Sequence, residues 1–213
     1  MDVNSITHYF YKVFVELGWD KSTAKLINVI FNTTIILIAT YIFNRILRNI
    51  FKRILGVIAR KTISQFDDHL YHNKVFLNFC HLLSVFILKW VIPFIFRDYP
   101  DTKDEIDTFL DIVTVFLVIW FIRSILLTLK DFLNTLENFK DKPIESYLQV
   151  FLIFSWAIGF IIVFTILTGK SIVEFLTALG AVSAIILLIF KDTILGFVAS
   201  IQVTVNDTVR IGD

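Results

Sequence analysis

The residues that could do chemistry are few, and most of them cluster. Asp67, Asp68, His69 and His72 set two carboxylates and two imidazoles close together, and His69 and His72 at i, i+3 share a helical face. Such a set could begin a metal site or an acid–base centre. No third ligand follows at a characteristic spacing, and no nucleophile, phosphate loop or complete metal motif accompanies it. The sequence therefore predicts no catalytic residue, no metal and no cofactor, and a solvated helix entrance accounts for the aspartates equally well. The single cysteine, Cys80, excludes an internal disulfide and reads as a packed apolar residue. Lys89 and Arg123 stand inside apolar runs, where ionised groups are costly. Both lie near the ends of their runs, so the expectation is interfacial anchoring, with Lys89 snorkelling outward and Arg123 inward.

The elements that carry these residues follow from hydropathy. With 56% hydrophobic and only 18% charged residues, and a mean hydropathy of +0.75, the chain cannot keep a polar exterior in water and calls for a bilayer. A net charge of +1, with the charges gathered between apolar runs, gives no basic field for a nucleic acid. Crossing the hydrocarbon core as a helix takes roughly 17 to 25 apolar residues at about 1.5 Å each. Five runs qualify, at 26–43, 75–96, 109–129, 147–168 and 172–205. The expected fold class is thus an all-α membrane protein of five transmembrane helices, because backbone groups in lipid must pair within their own segment. Residues 1–25 lack the basic leader and cleavage site of a removable signal peptide, so the first run is expected to remain as an anchor.

Orientation comes from the connecting segments. Between the first two runs stand Arg45, Arg48, Lys52, Arg53, Arg60, Lys61 and Lys74, whereas the next connection is acidic, with Asp98, Asp101, Asp104, Glu105 and Asp107. Lysine and arginine are retained on the cytoplasmic side, which predicts an outer N-terminus and a cytoplasmic C-terminus. Trp90, Trp120 and Trp156 read as interfacial belt residues. Beyond Phe43, the apolar residues Leu47, Ile50, Phe51, Ile54, Leu55 and Ile58 recur at helical spacing, with Arg45, Arg48, Lys52 and Arg60 opposite. The first helix is therefore expected to continue inward. Its cations, Arg53 included, either contact anionic lipid head groups, each contributing on the order of 1 kcal/mol, or only fix topology.

The final run is about 50 Å long as a straight helix, against a hydrocarbon core of about 30 Å, so it is expected to bend or leave the membrane. Lys191 and Asp192 interrupt it at the expected cytoplasmic boundary, and Gly196 adds flexibility. Thr177, Gly180, Ala181 and Ala184 segregate to one face, away from Phe175, Leu179, Val182 and Ile186. Small faces let helices approach closely. They serve either packing within one chain or, in a ring of identical helices, pore lining, with Leu188 below as an apolar constriction that closes by dewetting.

These residues also carry a resemblance. Gly180-Ala181, then Phe190-Lys191-Asp192-Thr193-Ile194-Leu195-Gly196-Phe197-Val198-Ala199-Ser200-Ile201-Gln202, then Asn206-Asp207-Thr208-Val209-Arg210-Ile211-Gly212-Asp213, resemble the mechanosensitive channel of small conductance (MscS) family. Phe66-Asp67-Asp68 with Lys74-Val75-Phe76, and Pro143-Ile144 with Tyr147-Leu148-Gln149-Val150, are similar to its five-helix, miniconductance-type branch. The resemblance covers most of the chain after Thr62. It implies a homoheptamer of the bacterial inner membrane, whose last helix lines the pore, kinks near the cytoplasmic face and leads into a β domain and a hollow vestibule. Residues 206–213 read as the opening of that β domain, and the rest is expected to be missing from this chain. The chain also departs from a simple glycine kink in placing Lys191-Asp192 at the bend.

The functional expectation is an ion channel opened by membrane tension, weakly selective because its lining residues are uncharged, and suited to relieving osmotic pressure. Its partners are copies of itself and membrane lipids. A non-conducting scaffold or tension-sensing regulator would share the topology, and a membrane enzyme built on Asp67, Asp68, His69 and His72 would lack the groups named above.

Overall fold

The computed structural model describes residues 7–59, 66–139 and 142–206, with the side chains of 55–59 and of Thr204 outside the description. Arg60, Lys61 and the expected strand at 207–213 fall outside these residues. Everything regular in the described residues is helical, and no strand occurs among them. In chain order the elements are α1 (Tyr9–Glu16), α2 (Lys21–Ala59), α3 (Phe66–His72), α4 (Val75–Ile95), α5 (Pro100–Thr135), a 3₁₀ turn (Glu137–Phe139), α6 (Ile144–Thr168) and α7 (Ile172–Val205). Five of them, α2, α4, α5, α6 and α7, are long and apolar enough to cross a membrane. The fold is that of a multi-pass, all-helical membrane protein.

Several helices outrun the apolar stretches that reveal them. The helix α2 is unbroken from Lys21 through the basic segment to Ala59. Likewise α5 begins at Pro100, so the acidic segment that reads as a connection is its first two turns. Proline at the first helical position lacks only an N–H that would have no partner there, and Asp101 in the first turn faces the positive end of the helix dipole. Hydropathy marks the part of a helix that meets lipid, and helix signals continue past it.

Residues up to Leu167 form one compact unit and those from Thr168 a second. In the first, α2, α4 and α5 meet around Val29, Ile92, Ile95, Phe96 and Leu110, with Ile36, Leu88 and Ile106 against them. Lys25 and Asp98 pair at 3.8 Å beside this cluster. The short α1 folds back on α2: Asn28 Oδ1 accepts from the Tyr11 backbone N–H at 3.2 Å, and Asn32 Nδ2 donates to the Thr7 carbonyl at 2.8 Å. At the other end α3 packs on α5 through the Phe66–Phe132 ring pair and the Asn73 amide, which donates to Asp131 at 2.7 Å.

Helix α6 touches α5 at a few points. A Cβ on Gly159 would overlap the Ile119 terminal methyl and stand 3.5 Å from a Val115 methyl, so glycine permits this approach. Trp156 lies against Phe116, and Lys130 reaches Glu145 at 4.0 Å.

Candidate functional site

Two regions concentrate the residues that sequence singles out. The first is the seam where α2 meets α4. Asn44, nearly fully buried on α2, donates to Ser84 Oγ at 2.7 Å and to the Cys80 carbonyl at 3.4 Å. One turn on, Arg48 Nη2 lies 3.0 Å from His81 Nε2, so that ring nitrogen accepts from the guanidinium. Cys80 itself is fully buried beneath. Polar groups at membrane depth pair because lipid offers them no partner, and each such interhelical bond contributes on average about 0.6 kcal/mol. Arg48 is therefore half-buried and aimed at α4, whereas Arg45, Lys52 and Arg53 are exposed. Sequence treats these four cations alike; the structure separates Arg48 from the rest, through a histidine whose proximity no spacing along the chain reveals.

Lys89 has a partner that the sequence does not indicate. It forms an ion pair with Asp111 of α5. The partner sits in the next apolar run, and only the packing of α4 on α5 identifies it. A second α4–α5 link is the Asn78 amide donating to Ser124 Oγ. Arg123 is exposed on α5.

The histidine and aspartate cluster becomes the helix α3. Asp67 and Asp68 occupy its first turn, where carboxylates suit the helix dipole. Asp67 Oδ2 and His69 Nε2 are buried without a hydrogen-bond partner. Among the described residues, no group of three or more His, Cys, Asp or Glu side chains could hold a metal ion.

The second region is α7. Ser171 and Glu174 close its N-terminus reciprocally: Ser171 Oγ accepts from the Glu174 N–H at 3.1 Å, and Glu174 Oε2 from the Ser171 N–H at 3.3 Å. From this start Thr177, Gly180, Ala181, Ala184 and Leu188 fall within about 100° of one helix face. The helix continues without a break through Lys191, Asp192 and Gly196 to Val205. Within this unit a Cβ at Gly180 or Gly196 would meet open space, so neither glycine is required by packing there.

Glu174 is the residue that sequence reasoning passes over. It is the one acid between 172 and 190, and the S-x-x-E spacing from Ser171 is the signal that finds it. The other polar groups in that stretch are Thr177, bonded to the Val173 carbonyl at 2.7 Å, and Ser183, bonded to that of Leu179 at 2.8 Å. All three polar side chains of the spanning half are thus satisfied within their own helix or its cap.

No protein-family model matches the chain, and no solved structure matches it.

Proposed function

We propose that the chain is a subunit of a tension-gated ion channel, in which α7 of several copies lines a central pore. One observation carries the reading: α7 combines a face of small residues ending at Leu188 with polar groups that are all satisfied internally. Small residues let identical helices approach closely about an axis, and internal satisfaction lets each helix slide or tilt without breaking a hydrogen bond. Leu188 then forms an apolar ring that excludes water until the copies separate. Tension acts on the difference in membrane area between the two states.

The resemblance to the mechanosensitive channel of small conductance family adds seven copies, a bend of the helix near Lys191, Asp192 and Gly196, and a cytoplasmic β domain entered from residues 207–213. The resemblance also adds the bacterial inner membrane, and the charge pattern adds the orientation, with the N-terminus outside and the C-terminus in the cytoplasm. Weak ionic selectivity follows from the uncharged stripe.

Patch recordings of the purified protein in liposomes test the proposal. The expected result is stepwise conductance above a threshold tension, and silence at every tension up to lysis overturns it in favour of a non-conducting scaffold.

A further inference from the structure

We infer that the groove between α2 and α4 is a site for one anionic phospholipid, whose phosphate is held by Arg45, Arg48 and Lys52. The inference requires only that the helices lie in a membrane, and it stands whether or not the protein conducts.

At 100° per residue, Tyr41, Arg45, Arg48 and Lys52 fall within about 60° of one face of α2. That face borders a groove of about 610 Å³, completed by His81 and Ser84 of α4. Three cations line it and no carboxylate does. The imbalance is intrinsic to the sequence, because no acidic residue occurs between Asp20 and Asp67. Nor does any of the three cations have a carboxylate partner among the described residues. Three cations gathered on one face repel one another, and Lys89 shows how this chain elsewhere balances a cation, with Asp111. The groove lacks such an acid and calls for an anion from outside the chain.

Shape selects a lipid as the source. The groove runs along α2 from Leu37 to Lys52, uncharged at the first end, with Leu37, Thr40 and Tyr41, and cationic at the second. Fifteen residues of helix rise about 22 Å, close to half of the roughly 40–45 Å full thickness of a bilayer. The groove therefore has the length of a single leaflet lipid, with its charge at the end where a head group would lie. Arg48 is pre-positioned by His81, so little side-chain freedom is lost when its planar fork meets a phosphate. Asn49 adds a polar group at the level of the cations. Arg53 lies about 100° from Lys52 around the helix and does not border the groove. The four cations that sequence groups together are thereby divided into three that bind and one that does not.

The test titrates the full chain, purified in neutral detergent, with phosphatidylglycerol and follows bound lipid by native mass spectrometry. Binding should saturate at one lipid per chain. Arg45→Gln and Lys52→Gln should each weaken it at least tenfold, about 1.4 kcal/mol at 25 °C, while Arg53→Gln changes it less than twofold. Arg45 and Lys52 are exposed, so these variants leave the Arg48–His81 contact in place, and Arg48→Gln is a supplementary arm. All variants remove one charge, so equal losses for Arg53→Gln and Arg45→Gln would reveal diffuse attraction and overturn the site. Phosphatidylcholine bound as tightly as phosphatidylglycerol would overturn the anionic assignment. Millimolar inorganic phosphate bound with the same Arg45 and Lys52 dependence would overturn the lipid as its source.

Discussion

The spans α2, α4 and α5 are joined to one another by named polar pairs, Asn44 with Ser84, Asn78 with Ser124 and Lys89 with Asp111, whereas the spanning half of α7 turns every polar side chain back on its own backbone. The first arrangement fixes register, since sliding one helix past another would strand a buried amide or a charge. The second specifies only a shape, a face of Thr177, Gly180, Ala181 and Ala184, and shape tolerates sliding. A membrane protein that must be rigid in one part and mobile in another can make that division with hydrogen bonds alone. In the proposed channel, the bonded spans are the frame and α7 is the part that moves.

The ion pair offers the strongest way to break the contrast. Lys89→Met leaves Asp111 uncompensated, at a cost of about 2.5 to 3.5 kcal/mol for an acid deep in the bilayer and less near its surface. Thermal denaturation in lipid nanodiscs should show a clear loss, largely recovered in the double variant Lys89→Met, Asp111→Leu. If the double variant is no more stable than the single one, the pair does not lock α4 to α5.

A polar residue at Leu188 on α7, which is exposed within its unit, should leave stability unchanged and alter gating. In the proposed channel Leu188→Ser would remove an apolar ring whose contribution to the closed state is at most about 1.5 to 3 kcal/mol per copy, so the opening tension should fall in liposome patches. An unchanged threshold would remove Leu188 from the constriction. Glu174→Gln is a milder change, costing about 0.3 to 1 kcal/mol through the charge lost at the helix N-terminus, while the Gln carbonyl can still accept from the Ser171 N–H. In a ring of copies it also removes one negative charge per copy, so any cation preference in the reversal potential should decline. Smallest of all is Asn44→Leu, at about 0.6 kcal/mol, measured by the same denaturation. A loss several times larger would mean that Asn44 anchors the whole seam, Arg48 and His81 included.

Much of the architecture is legible in the residues. A run of about twenty apolar residues suits the hydrocarbon core and little else, so hydropathy locates all five spans, and helical periodicity carries α2 onward through its basic segment. Helix ends are less legible, because beyond the lipid the constraint on polarity lapses: Asp101, Asp104 and Asp107 sit in a helix yet read as a connection. Tertiary partners are least legible. Nothing near Lys89 in sequence points to Asp111, and nothing near Arg48 points to His81, because both pairings arise from how separate helices pack. The α7 stripe lies on a single helix and is readable from spacing, while the α2–α4 groove needs two helices and is not.

The clasp that holds α1 against α2 has a consequence of its own. Asn28 and Asn32 grip main-chain atoms of Tyr11 and Thr7, groups that every amino acid but proline supplies in full. Docking of the N-terminal arm is therefore encoded partly in the helix that receives it, with the Phe10 ring against Phe31 as the arm's own contribution. The arm's exposed residue Tyr9 is free to drift in sequence, or to carry a fluorophore, while the arm stays in place.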